Sequence, residues 1–484
     1  MTLLRSLIIG VLAVAAARLV RTLLADRRRP VRQIAWILLM APYFTPILLT
    51  GYAYANFSLS LIHHPATNTI FYSALLWWKL TPIAAVILYF TPAPISAEAI
   101  HCRRLAWGAA FTPLQFTTTP DVRTVKRRER RAPFTRILVS QIEFCTFLVR
   151  AGCAHGPVAA FAVVFLFAFA EFEMASLMVV KSWTVALFDA HAGGLALGES
   201  LRRMLGPLLC EAAAIATAFV VLGRRQVIPA RRIEGSRASH CFAGCHLVIA
   251  FVFALAIPAA MLLWGTLRGF GLLMENFVLS REILSSLLFA AGASTFAGLA
   301  AFWLGAAARG RQFRSIFCKV ILVAAVFAGL LGSLVLSLTV LAAVQLPGLI
   351  ALRNTPVPLV FTLGLVLLPM ALVLKRVLEL TAHRSALHLT TLMQKSRAVR
   401  ELAWRLSTSG KFWLMVLLFV WAFWDLTASS ILAPIGMTPV TVRLYNLMHY
   451  GQIAALSAMT CTAFAAPVCV FLLALGTRRW WAPP

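Results

Sequence analysis

Acidic side chains are scarce in this chain: 16 Asp and Glu stand against 44 Lys and Arg in 484 residues. Charge of either sign is thin, at 12% of residues, about half of what a soluble domain carries. That deficit fits a chain whose solvent is mostly lipid. No polar stretch is long enough to fold as a separate soluble domain, so an ATPase, kinase or DNA-binding module would have to sit on another chain. The sequence has no G-x-x-x-x-G-K-[ST] loop, no G-x-S-x-G elbow and no H-E-x-x-H helix, so no nucleotide-binding loop, esterase site or zinc-protease site is expected. Nothing in it calls for a cofactor, and the chain is not read as an enzyme. Nine cysteines are scattered, mostly inside apolar runs where a free thiol behaves as a small hydrophobe, which implies no disulfide framework.

What the chain has instead is apolar runs, each near the ~20 residues that cross a bilayer. They fall at 6–25, 33–56, 71–92, 157–180, 204–222, 246–266, 283–306, 318–345, 356–378, 411–432 and 454–476. Each is expected to be helical, because backbone polar groups have no other partner in lipid. The first run follows Arg5 like a signal peptide, but Arg18, Arg21 and Arg27–Arg29 at its end argue for an uncleaved first helix. The expected fold is all-α: a polytopic helical membrane protein of about eleven crossings, with the termini on opposite sides.

The net charge of +28 does not point to nucleic acid, because no fold is available to present a groove-reading element. The basic residues cluster in alternate connections, at about 26–32, 96–150, 223–241, 307–317 and 379–410, and at Arg478 and Arg479. With the adjoining helix ends, that side holds roughly three-quarters of the Lys and Arg, as the positive-inside rule predicts for the cytoplasm. This places the N-terminus outside and the C-terminus inside, with anionic lipid beside basic runs such as Lys126–Arg131.

Two of these segments, 96–150 and 379–410, are much longer than the rest. Thr184-Val-Ala-Leu-Phe-Asp189 parallels Thr441-Val-Arg-Leu-Tyr-Asn446, and Ala168-Phe-Ala-Glu171 parallels Ala422-Phe-Trp-Asp425. Both offsets are about 255 residues, which reads as an internal duplication. The halves are 1–241 and 242–484, with about five and six crossings, and the run 246–266 has no counterpart in the first. An even number of spans separates the long loops, so the repeat is parallel rather than inverted.

This layout resembles the permease subunits of ATP-binding-cassette importers, in particular the fused two-half permeases of the ferric-iron, thiamine and polyamine group. Thr438–Gly451 is similar to the outer loop and following helix of the second half in that group, and Phe169–Ala175 resembles the end of the helix after the coupling loop. The resemblance implies a type I importer fold in a bacterial inner membrane. It also implies two ATP-binding subunits on the cytoplasmic side and a periplasmic or extracellular solute-binding protein on the other. Coupling helices of the family carry E-A-A-x-x-x-G. Here the second-half counterpart, around Ala386, Leu387, His388, Leu389, Thr390, Gln394 and Lys395, lacks that signature. Spacing places the first-half counterpart around Phe134, Ile137 and Leu138, which lacks it too. A carrier driven by an ion gradient, or a non-transporting membrane protein descended from a permease, are the alternatives.

Ionisable groups inside a bilayer are costly and mark candidate sites. Glu171 and Asp425 hold matched places near the outer ends of their helices, with Glu173 beside them. Together they read as carboxylates lining a path for a cation, or as interfacial and structural groups. Glu211 lies deeper, about two turns from Arg202 and Arg203, and is expected in a structural ion pair. Trp77, Trp78, Trp183, Trp421 and Trp424 are expected in an aromatic belt at the membrane surface. No metal site is predicted; Cys241 and Cys245, between His240 and His246, are weak candidates because their spacing fits no common zinc motif. His63 and His64 are a second weak pair.

Overall fold

The computed structural model describes residues 1–26, 28–91, 152–223, 236–276, 279–307, 313–381, 397–449 and 453–478. Among them every regular element is helical. The first half runs α1 (Thr2–Leu24), α2 (Arg29–Phe44), α3 (Ile47–Ser60), α4 (Pro65–Phe90), α5 (His155–Phe169), α6 (Glu173–Leu177), α7 (Trp183–Ala192) and α8 (Leu197–Gly223). A long helix follows, in which α9 (Arg237–Phe251) passes through a π-turn (Val252–Ala256) into α10 (Ile257–Asn276). The second half runs α11 (Ser280–Ala307), α12 (Phe313–Leu330), α13 (Ser333–Ala343), α14 (Val357–Thr381), α15 (Arg397–Phe423), α16 (Thr427–Leu432), α17 (Val440–His449) and α18 (Ile453–Arg478).

The halves correspond helix for helix, and their packing repeats. Helix α1 packs on α4 and α5, as α11 packs on α14 and α15; α3 packs on α6, as α13 packs on α16. Each half closes around its own apolar core. The first centres on Tyr72, Leu75, Leu76 and Met174, the second on Phe289, Leu363, Leu418 and Phe423. Small residues let helices approach closely: Gly329 of α12 lies against the backbone carbonyl of Leu365 on α14, where a Cβ has no room. The α9–α10 helix, unmatched in the first half, bridges the two. Its start packs on α1 and α2 and its end on α3 and α18.

Four apolar runs are not the continuous helices that hydropathy predicts. Run 33–56 bends by 72° between α2 and α3, and run 318–345 by 115° between α12 and α13. Run 157–180 stops at Phe169 and resumes as α6; run 411–432 stops at Phe423 and resumes as α16. The breaks have local causes. Pro46 lacks an N–H and holds Thr45 extended. Gly332 sits at φ +86°, a conformation open to glycine. At the other two breaks an acid folds back on the chain.

Among the described residues, seven helices are long and apolar enough to cross a membrane: α1, α4, α8, the α9–α10 helix, α11, α14 and α18. The two bent pairs qualify as well, each taken as one span. The surfaces of these helices are apolar, with Ile8 and Val11 on α1, Leu209 on α8, Leu267 on α10 and Leu473 on α18 all exposed. Such a surface is stable against lipid rather than water. The chain is a multi-pass helical membrane protein.

The C-terminus of α6 carries one strained residue. Val180 N–H bonds Ala175 O at 2.8 Å and Val179 N–H bonds Ser176 O at 3.2 Å, a helix end that needs a left-handed residue between them, usually Gly. Here Val179 fills it at φ +52°. That conformation costs a branched residue about 1–2 kcal/mol, while a glycine would lose about 0.5–1 kcal/mol more chain entropy on folding. Val179→Gly is expected to raise stability by up to about 1 kcal/mol, measured by denaturant titration in mild detergent. A loss of stability would show that the exposed Val179 side chain makes a contact that outweighs its strain.

Candidate functional site

The breaks after α5 and α15 are built the same way. Glu171 turns back to accept from Met174 N–H at 2.5 Å and Ala175 N–H at 3.1 Å, capping α6. Asp425 does the same for α16, accepting from Ala428 N–H at 2.8 Å. The backbone carbonyl of each acid then receives a threonine hydroxyl from the next helix: Thr184 to Glu171 O at 2.7 Å, Thr441 to Asp425 O at 3.1 Å. These are the two threonines that begin the repeated motif. The matched acids of the sequence are thus structural caps, and negative charge at a helix N-terminus is electrostatically favourable as well.

Around this shared frame the halves differ. Glu171 accepts a further hydrogen bond from Tyr72 OH at 2.5 Å, and the Arg5 guanidinium lies over the Tyr72 ring at 4.7 Å. Asp425 instead accepts from Ser333 at 3.1 Å, directly after the Gly332 break. Glu173 has no acidic counterpart, since Thr427 holds its place in the repeat. Its carboxylate reaches across the interface to the other half, accepting from Leu426 N–H at 2.9 Å and the Thr427 hydroxyl at 3.4 Å. Ser176 and Tyr445 share a further hydrogen bond between the halves, at 2.7 Å, and Tyr52 and Ser457 another. Trp421 stacks on Phe44 and meets Tyr43 edge-on. Glu171, Glu173 and Asp425 are therefore brought together where the two halves meet.

Lys79 belongs to this site and was not singled out from the sequence. It is buried on α4 and donates to Pro42 O at 3.2 Å, Thr45 O at 2.6 Å and Thr50 Oγ1 at 3.5 Å, closing the break between α2 and α3. It lies within electrostatic reach of Glu171 and Glu173. Thr50 passes the network on to Ala254 O, and Tyr54 OH donates to Phe253 O at 2.8 Å. Both carbonyls are in the π-turn, whose altered hydrogen-bond register frees backbone groups. The signal that could have found Lys79 was plain: a lone cation within the apolar run 71–92.

Other expectations are corrected. Arg203 pairs with Glu199 at 3.0 Å on the exposed side of α8, whereas Glu211 is fully buried and its carboxylate has no hydrogen-bond partner among the described residues. The predicted ion pair is absent because Arg203 and Glu211 lie on different faces of one helix. The tryptophans take part in helix packing. Trp77 meets His246 and Trp78 stacks on Phe253; Trp424 packs on Phe464, and Trp183 donates to Phe169 O at 2.7 Å. Among the described residues no three His, Cys, Asp or Glu side chains could share a metal ion. Cys241 and Cys245 are exposed on α9, and His63 and His64 are exposed at the turn before α4. The coupling residues around Phe134–Leu138 and Ala386–Lys395 lie outside the described residues.

No known family's sequence pattern matches the chain, and neither a curated protein nor a solved structure matches it.

Proposed function

We propose that the chain is the permease of a binding-protein-dependent ABC importer, with eleven crossings in two parallel repeats and the solute path between the halves. ATP-binding subunits would dock on the segments 96–150 and 379–410, and a solute-binding protein on the outer loops around 181–203 and 433–453. The N-terminus is outside in this reading and the membrane is a bacterial inner membrane. The observation that carries the proposal is the pair of helix breaks, capped by Glu171 and Asp425 with the same threonine and backbone hydrogen bonds in both halves and joined across the interface by Glu173. Equivalent halves meeting at a breakable polar seam suit a path that opens by moving one half against the other. The negative charge gathered at the seam would draw in a cationic solute, and the resemblance suggests ferric iron, thiamine or a polyamine. The attraction is electrostatic, since the capping bonds of Glu171 and Asp425 leave no three acids among the described residues able to share a metal ion.

Purified with its ATPase in nanodiscs, the complex is expected to hydrolyse ATP faster when the cognate binding protein is added. No co-purifying ATPase, or no stimulation by any co-encoded binding protein, would overturn the reading. Tyr445→Phe removes one bond of the seam, worth about 1 kcal/mol, and would shift a two-state gate about fivefold. Basal hydrolysis without binding protein is expected to change by about that factor, and an unchanged basal rate would show that this bond is kept in both states.

A carrier driven by an ion gradient is the second reading, and one observation favours it: Glu211 is an uncompensated carboxyl deep in the bundle. Uptake into proteoliposomes that hold this chain alone, driven by an imposed gradient, would select it over the importer.

A further inference from the structure

The seam described above leaves Glu211 unused. It lies midway along α8, 0% exposed, with both carboxylate oxygens buried and without a hydrogen-bond partner among the described residues. It shares its face of the helix with Met204, Ile215 and Ala218, which are all buried. Helix α8 packs on α5 and α7 of its own half and, in the cluster that holds Met204, on α13 of the other. The titratable residues on those helices are few. Helix α5 carries His155 at its first position, where Nδ1 is 3.0 Å from Gly152 O. Helix α7 carries Asp189 and His191, and His191 is engaged with Ser200 near the start of α8, at 3.3 Å. Helix α13 carries none. On α8 itself Glu199 and Arg203 are paired with each other, and Arg202 is exposed.

An ionised carboxylate with neither a hydrogen-bond donor nor a cation beside it is too costly to keep in a dry interior. A merely structural position would carry an apolar side chain here, as Ile215 does one turn further on. We propose that Glu211 is a proton-binding site of the bundle, a carboxylic acid that takes up and releases a proton as the halves move. The site stands whether transport is driven by ATP or by a gradient, because it rests on the surroundings of α8 and not on the coupling loops.

The test is labelling of the wild-type protein in nanodiscs with dicyclohexylcarbodiimide, an apolar reagent that attacks protonated carboxyls. The acid proton passes to a carbodiimide nitrogen while the carboxyl oxygen bonds the central carbon, so every atom of both reactants stays in the adduct. Peptide mass spectrometry is expected to find the adduct within 204–224 at Glu211, and not at the exposed, ion-paired Glu199. Labelling should fall with rising pH, approaching about tenfold per unit once the site releases its proton. Glu211→Gln should abolish this adduct; the wild-type comparison with Glu199 holds even where that variant folds poorly. No adduct at Glu211 would overturn the proposal. So would labelling that stays constant from mildly acidic to mildly alkaline buffer, because such a group never gives up its proton.

Discussion

Lys79→Met is expected to destabilise the protein by roughly 3–5 kcal/mol, the cost of removing one partner from a buried charged network. The ammonium donates to Pro42 O, Thr45 O and Thr50 Oγ1, so its loss strips the α2–α3 break of its cap. It also removes the cation within reach of Glu171 and Glu173. The measurement is the yield and thermal midpoint of monodisperse protein in mild detergent. Adding Glu173→Gln to Lys79→Met removes one of the carboxylates left uncompensated, and part of the loss should return. Additive losses in the double variant would show that Lys79 acts through the backbone carbonyls alone. A Lys79→Met variant as stable as wild type would remove Lys79 from the network.

The second large effect is expected at Glu171. Glu171→Ala leaves the Met174 and Ala175 N–H groups and the Tyr72 hydroxyl without their acceptor in a buried place. Each orphaned group costs about 1–3 kcal/mol, so the total should be roughly 3–5 kcal/mol after local relaxation. Glu171→Gln keeps one acceptor oxygen and should lose less. Asp425→Ala removes the acceptor from Ala428 N–H and the Ser333 hydroxyl and should fall between them. Denaturant titration of the three variants checks the order. If Asp425→Ala proves the most damaging, the second half rather than the first is the better-anchored side of the seam.

The capping bonds of Glu171 and Asp425 tie both acids to the backbone at their breaks. Glu171 is held by its own chain on both oxygens, so its first role is to shape the turn. Glu173 spends its carboxylate on the opposite half, and it is the acid that a relative movement of the halves would release. Under the permease reading proposed above, a cationic solute at the seam would compete with the other half for Glu173.

Much of this was legible in the residues alone. Apolar runs about 20 residues long specify helices in lipid because the backbone has no other partner there. The Thr-Val motif and the two acids, repeated at nearly the same spacing, disclosed the duplication, and the structure pairs the same residues in both halves. The unmatched run 246–266 was also visible, and it lies within the bridging α9–α10 helix. These features depend on hydrophobicity and on local order along the chain.

The four breaks and the seam were not legible, and the reason is physical. A proline such as Pro46 is tolerated in many membrane helices, as Pro82 is within α4, so the residue alone does not reveal whether a helix bends or continues. What decides is whether a partner exists to take the freed backbone groups. At α2–α3 that partner is Lys79, at α5–α6 it is the Glu171 side chain with Tyr72, and at α15–α16 it is Asp425 with Ser333. Glu211 shows the opposite case, a carboxyl whose expected arginine proved to lie on another face of its own helix. The sequence by itself determined which segments are helices in lipid and that they form two related halves. Only the tertiary structure decided where those helices break and which polar groups meet, because buried hydrogen bonds are made between residues brought together from distant parts of the chain.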